Sequence, residues 1–476
     1  MKKNILYICI LFSAAVGLTS CAGEEDDIFD KSAAERLNDS RGIYTKLLTD
    51  AADGWAIQYY PMLDEEAKTV SQRGYLMLAK FKTDGTVDVA TNYWPEWYTV
   101  DDEDKVRYRH LYNEHNNSLW EIITDNGPVL SFNSYNSVLH YYADPEEYAN
   151  TEGYGGDYEF SITETEQNSA IGQYVLLKGK KTGTYNMLTP LPAGTDFQTY
   201  LEDVYNFQQE MFPASLPYTP MMKVRDEQFV IEDADSRFPL AYPEGTDKVV
   251  EGVRLPFIIT KTNDSYRLFF KIMGHDANFH GDETMNENEG MVFDYHTDTD
   301  EFVDVYNSNN KIYSPQTAPS FFENYLKKGK SFSIYRTGKN SILSDGMRAA
   351  FDAASAAMGS VNSSWRVDSL SLTFDTLTNK ATWSFRYTSG GRLMRYNYDL
   401  TISNGETGIS FLESVDTYAE NTINGKAKDK TANLKKLLTE TLSQEFKIEA
   451  YKSKFNLKKI KLTAVNDPDL WMIICY

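Results

Sequence analysis

The chain has 476 residues, 41% hydrophobic and 14% aromatic, which excludes wholesale disorder and, by length, argues for two or three domains. It carries 47 basic against 69 acidic residues, a formal net charge of −22, which argues against nucleic acid as a partner because such binding runs on Lys and Arg neutralising phosphates. A mean hydropathy of −0.49, with no apolar run near the ~20 residues of a spanning helix, excludes a polytopic helical membrane protein.

Residues 1–20 read as a lipoprotein signal peptide. Lys2 and Lys3 give the positive start, residues 5–16 the apolar run, and Leu18-Thr19-Ser20-Cys21 the box cut by the lipoprotein signal peptidase. On this reading Cys21 is acylated and anchors the chain in a membrane, at roughly 0.8 kcal/mol per buried CH₂. The mature chain then has 456 residues and a charge near −24, since Lys2 and Lys3 leave with the leader. Residues 21–30 form an acidic tether, with Glu24-Glu25-Asp26-Asp27 too polar to bury anything. An acidic run directly behind the lipidated Cys is similar to the signal that sends lipoproteins of Bacteroidetes to the outer face of the outer membrane. The expected location is therefore the outer membrane, lipid-anchored and exposed on the cell surface. Cys9 leaves with the leader and Cys21 carries lipid, so Cys475 has no partner for an intrachain disulfide. The same count excludes a zinc site built on three or four Cys.

Residues 31–215 are predicted to be one helix followed by an antiparallel β block. Ser32 and Glu35 form a capping box, and Leu37, Tyr44, Leu47, Leu48 and Ala51 fall on one helical stripe that ends before Gly54. Strands are predicted at 55–60, 74–81, 87–89, 119–124, 129–132, 137–142, 158–163 and 174–178, with a hairpin turn at Asp84-Gly85. A short helix is predicted over 196–212, before a break at Pro213, Pro217 and Pro220. Residues 216–310 read as a second β block, with strands near 228–232, 256–260, 266–272, 291–296 and 301–306. The polar stretch 307–319 reads as a boundary. Residues 320–476 form a C-terminal α+β region, with helices near 345–358 and 430–442 and strands at 366–374, 381–387, 393–402, 408–412, 446–451, 460–465 and 471–475. The fold class expected is β-rich α+β, built of antiparallel meander sheets, sandwich or open barrel, with a few helices. Missing crossover helices argue against a parallel α/β sheet.

Charge is polarised: residues 426–461 hold eleven Lys against four acids, a net of +7 on an acidic chain. Such a segment suits an acidic partner, membrane phosphate groups or plain solvated faces.

No metalloprotease, nucleophile-elbow, dinucleotide-binding or EF-hand motif is present, and Gly329-Lys330-Ser331 lacks the earlier glycine of a P-loop. His275 and His280, with Asp276, Asp282 and His296, could supply metal ligands, but their spacing fits no template and a polar loop is the simpler reading. Trp94, Trp97 and Tyr98, around Glu96, are the candidate ligand-binding residues, since aromatic faces suit the C–H surfaces of sugars and equally suit a protein hot spot. Burial of those rings in their own sheet is the competing reading. No carboxylate pair stands out, so no enzyme, cofactor or metal is expected.

Gly54-Trp55-Ala56-Ile57-Gln58-Tyr59-Tyr60-Pro61, the run Gly127-Pro128-Val129-Leu130-Ser131-Phe132-Asn133-Ser134-Tyr135-Asn136, and Leu177-Lys178-Gly179-Lys180-Lys181-Thr182-Gly183 together resemble a lipoprotein family of Bacteroidetes. It is catalogued as a domain of unknown function, and the resemblance covers roughly residues 25–270. The residues have structural readings too. Gly127-Pro128 is a turn, Phe132, Tyr135 and Leu139 look like packing residues, and Gly179 and Gly183 flank a basic hairpin tip. The resemblance implies an accessory lipoprotein of SusC/SusD-type importers. The function expected is non-catalytic capture of a nutrient, glycan or peptide. The alternatives are an adhesion or structural surface protein with a protein partner and, behind it, a hydrolase.

Overall fold

The computed structural model describes residues 33–61, 63–64, 69–70, 73–92, 112–143, 155–215, 218–270, 291–378, 380–389, 392–404, 408–413 and 437–476. Helix α1 (Ala33–Asp50) is the first described element. Strands β1 (Trp55–Tyr59), β2 (Leu63–Asp64), β3 (Thr69–Val70), β4 (Tyr75–Phe81), β5 (Thr86–Thr91), β6 (Asn113–Thr124) and β7 (Pro128–Phe132) lead into the one-turn helix α2 (His140–Ala143). Strands β8 (Glu159–Ser169), β9 (Gly172–Gly179) and β10 (Tyr185–Pro190) follow, and β2 and β3 pair only with each other. The other eight strands close into an antiparallel barrel, because β1 pairs with both β10 and β4.

The barrel interior is filled by aromatic rings: Trp55, Tyr59, Tyr75, Phe81, Trp120, Phe132, Tyr142 and Phe160. An eight-stranded barrel is narrow enough for such side chains to fill its interior. The Trp55 indole donates to the Leu48 carbonyl at 2.9 Å, which ties the α1 stripe to the barrel, with Tyr44, Leu47 and Ala51 packed beside it. On β1, Trp55, Ile57 and Tyr59 point inward, while Ala56 and Tyr60 belong to the core of the next unit. Burial on both faces explains why β1 and β4 read as continuous apolar runs rather than alternations.

That next unit is an open nine-stranded antiparallel sheet. Helix α3 (Phe197–Met211) enters it, capped by the Asp196 side chain at 2.9 Å from the Thr199 amide. Its strands are β11 (Met221–Val224), β12 (Glu227–Glu232), β13 (Leu240–Pro243), β14 (Val253–Arg254) after the short helix α4 (Lys248–Glu251), β15 (Phe257–Lys261), β16 (Tyr266–Phe270), β17 (Met291–His296), β18 (Glu301–Asp304) and β19 (Lys311–Tyr313), in the spatial order β14-β13-β12-β11-β19-β18-β17-β16-β15. Helix α5 (Ala318–Lys327), strand β20 (Ser331–Tyr335) and helix α6 (Asp345–Val361) lead to β21 (Arg366–Asp375), β22 (Lys380–Ser389), β23 (Arg392–Asn404), β24 (Gly408–Glu413), β25 (Glu445–Ala450), β26 (Lys459–Ala464) and β27 (Asp467–Cys475). Strands β20 to β27 close a second eight-stranded barrel in sequence order, with α5 and α6 packed into its core cluster. Cys475 is a free, buried thiol.

The fold class is thus β-rich α+β and antiparallel, as expected, with closed barrels where a sandwich or open barrel was anticipated. Residues 137–142 are not a strand. They form a turn and α2, because the Asn136 side chain accepts from the Val138 and Leu139 amides at 3.0 and 3.2 Å and starts a helical turn. The polar stretch 307–319 contains β19, which bonds to both β11 and β18. Of the predicted helix over 430–442, the described part is a π-helical turn at Leu437–Leu442.

Part of the basic segment meets the middle unit of the chain. The β25–β26 loop inserts Phe455 among Phe212 and Phe302, with ring centroids 5.9 and 5.7 Å away. Lys454 donates to the Thr299 carbonyl at 3.1 Å, Lys458 donates to the Ala214 carbonyl, and Lys452 lies 3.8 Å from the Glu210 carboxylate. Burial pushes the Glu210 carboxyl above its ordinary range, and Lys452 opposes that shift. Lys452, Lys454 and Lys458 therefore tie the second barrel to the middle unit.

Candidate functional site

An open groove of about 680 Å³ lies on the outer face of the first barrel. Strand period and register build its floor. Trp120 and Phe132 point into the barrel, so Glu121 and Ser131 point out. Glu121 lies opposite Ser131, and Ser131 opposite Glu159, which sets two carboxylates one strand either side of a hydroxyl. Ser131 Oγ donates to Glu159 at 3.2 Å. Glu121 accepts from the Asn133 side-chain amide and, at 3.4 Å, from Arg41 of α1.

The wall is aromatic. Tyr135 is 54% exposed and Tyr158 is 43% exposed, both unusual for large rings on a strand protein. The His140 ring stacks on Tyr158 at 4.8 Å with planes 15° apart, and Tyr135 lies 5.4 Å from His140. His115 approaches Tyr135 edge-on at 6.5 Å.

Local structure holds these rings in place. Asn136 is fully buried and donates through Nδ2 to Ser118 at 2.8 Å, while its carbonyl accepts from the His140 amide at 2.8 Å. The Asn136 amide donates back to His140 Nδ1 at 3.1 Å, so cap and imidazole hold each other. The Ser137 amide donates to His115 Nδ1 at 3.2 Å. Beneath Tyr158, the Tyr59 hydroxyl accepts from the Asp157 amide at 2.9 Å and donates to the Asp157 carbonyl at 3.1 Å, which fixes the residue before Tyr158. The Asp157 carboxylate accepts from the Lys181 amide at 2.6 Å and the Thr182 amide at 3.3 Å. A Cβ at Gly179 would overlap that carboxylate, so the Gly179–Gly183 tip is a cradle for Asp157 as well as a basic turn.

Residues 25–273, more than half of the chain, match the family described as a domain of unknown function, DUF4302. The chain belongs to the DUF4302 family. No curated protein matches it. Among solved structures, the isotype 1 transferrin binding protein B from serogroup B Neisseria meningitidis aligns at 8% identity over 88% of this chain and 74% of that one, with a TM-score of 0.13, too low to bear on fold or function. The groove lies wholly within the DUF4302 match.

Trp94, Trp97 and Tyr98, the lipidation candidate Cys21, and His275 and His280 all lie outside the described residues. Among the described residues no group of three His, Cys, Asp or Glu could hold a metal, and no helix is long and apolar enough to cross a membrane. Phe132 and Leu139 are buried packing residues, as expected. Tyr135 is not: it faces solvent, because the turn capped by Asn136 swings it off the barrel. Tyr158, Glu121 and Glu159 escaped sequence reasoning. The outward phase of β6 and β7 was a usable signal for Glu121 and Ser131, but pairing of β8 beside them was not.

Proposed function

We infer that this DUF4302 protein is a non-catalytic ligand-capture lipoprotein that holds a glycan in the Tyr135–His140–Tyr158 groove. The observation that carries the reading is the exposed aromatic wall facing two carboxylates already fixed by donors. Sugar rings offer C–H faces to aromatic planes and hydroxyl donors to carboxylates, so both walls are used at once. A peptide fits less well. Along the groove floor, β7 is paired with β6 on one side and β8 on the other, so the floor at Glu121, Ser131 and Glu159 offers no strand edge for an added strand. Catalysis also fits less well: Ser131, Asn133 and Arg41 hold Glu121 and Glu159 as hydrogen-bond acceptors, whereas glycoside hydrolysis needs one of the pair to carry a proton.

Cys21 acylation, outer-membrane attachment and surface display complete the reading, on the strength of the leader and its acidic tether. Association with a SusC/SusD-type importer rests on the family resemblance. Protease shaving of intact cells tests display: digestion before lysis supports it, and protection until lysis contradicts it. Co-purification from solubilised outer membranes tests the importer. The groove is tested by titrating neutral oligosaccharides into the mature chain, wild type and Tyr135→Ala with Tyr158→Ala.

A further inference from the structure

The groove's aromatic wall rests on imidazole nitrogens that must be unprotonated. A neutral imidazole has one donor and one acceptor nitrogen, and imidazolium has two donors and no acceptor. His140 Nδ1 accepts from the Asn136 amide at 3.1 Å, and His115 Nδ1 accepts from the Ser137 amide at 3.2 Å. Both rings are therefore held as the Nε2–H tautomer. These are the two successive amides that follow Tyr135, the most exposed ring of the wall. Asn136 is fully buried, so its amide has no water to turn to when the imidazole gains a proton. His115 has a fallback, since the Ser137 hydroxyl lies 3.1 Å from Nδ1 and can accept from a protonated ring.

We propose that the Asn136–His140 reciprocal cap is an acid-sensitive latch that orders the Tyr135 wall of the groove at neutral pH and releases it when His140 is protonated. The proposal rests on the glycan reading for its functional meaning, because a loosened wall lets its ligand go. Imidazole is the side chain that changes charge between about pH 5 and 8, so the latch works in a range that a cell surface meets. Among the described residues, several charged and titratable groups lie around it. Tyr135 and Tyr158 face the His140 ring, Glu121 and Glu159 line the same groove, and Glu114, beside His115 on β6, takes the Tyr112 hydroxyl.

Amide hydrogen exchange of the full mature chain at pH 5.0 and 7.5, each rate divided by the intrinsic rate at that pH, reads the latch without any ligand. Peptides covering residues 133–140 are expected to lose about tenfold in protection at pH 5.0, the cost of one buried hydrogen bond, while β4 and β9 keep theirs. In His140→Asn, whose side-chain oxygen accepts in place of Nδ1 and does not titrate, the pH difference disappears. Equal protection at both pH values in the wild type, or the same loss in His140→Asn, overturns the latch. Nitrogen-15 NMR of the histidines in the wild-type chain gives a second reading with no substitution. His140 Nδ1 is expected to be unprotonated at pH 7.5, and a proton on Nδ1 there overturns the proposal. A chain that shows the latch but binds no oligosaccharide would refute the glycan reading alone.

Discussion

The Asp300 carboxylate accepts a hydrogen bond from the Ser453 hydroxyl at 2.8 Å, joining the β17–β18 turn of the middle sheet to the β25–β26 loop of the second barrel. The same carboxylate accepts from the Tyr295 hydroxyl at 2.8 Å and from the Lys454 amide. Ser453 is fully buried at this junction, with Phe455 inserted beside it.

A buried Phe removed from such a site leaves a cavity. Phe455→Ala is expected to cost about 3–5 kcal/mol. Because Phe455 belongs to the middle core while its strands belong to the second barrel, chemical denaturation should split into two steps. A single transition with unchanged midpoint contradicts the lock.

Tyr135 and Tyr158 are exposed, so their removal should spare the fold. Tyr135→Ala with Tyr158→Ala is expected to shift stability by no more than about 0.5 kcal/mol per site in denaturant melts. A loss of several kcal/mol would mean that the rings pack rather than present a surface.

Gly179 makes room for the Asp157 carboxylate. Gly179→Ala forces the β9–β10 tip away and is expected to destabilise by about 1–3 kcal/mol in thermal or urea melts. Gly194→Ala tests a different cost: nothing lies near its Cβ, but its φ of +76° strains any side chain. Disordering of the Tyr158 wall should follow the first substitution and not the second.

Burial holds the Asp157 carboxyl above its ordinary value of 3.8, against hydrogen bonds from Thr182 and Lys181 that pull it down. Its folded pKa thus exceeds its unfolded one, and between the two the folded chain binds more protons. Its contribution to stability is therefore greatest below the unfolded value and falls as pH rises through the folded one. Asp157→Asn should remove that fall, seen as a smaller loss of urea stability between pH 4 and 6 than in the wild type. Parallel slopes would contradict it.

Much of the framework was legible from periodicity. The Leu48 stripe, the buried runs at Trp55 and Tyr75 and the Asp196-capped helix all follow from spacing and caps. The failures have physical causes. Residues 137–142 alternate like a strand, yet the Asn136 cap turns them into a helix start, and Tyr135 swings outward as a result. Strands such as β14 and β19 have two or three residues, too few to show a period, and exist because their neighbours supply hydrogen bonds. The groove was least legible, since Glu121, Ser131 and Glu159 come together through strand pairing across some 38 residues of chain. The polarised lysines were visible as charge, but that Lys452, Lys454 and Lys458 reach the middle unit was not.

Isothermal titration calorimetry of the mature chain with neutral hexasaccharides of glucose and xylose at pH 7.5 tests the central claim most directly. At least one is predicted to bind, about tenfold or more weakly to Tyr135→Ala with Tyr158→Ala, and with unchanged affinity to Trp94→Ala with Trp97→Ala. No binding by any of them, or binding that survives loss of both tyrosines, would contradict the groove as the site of capture.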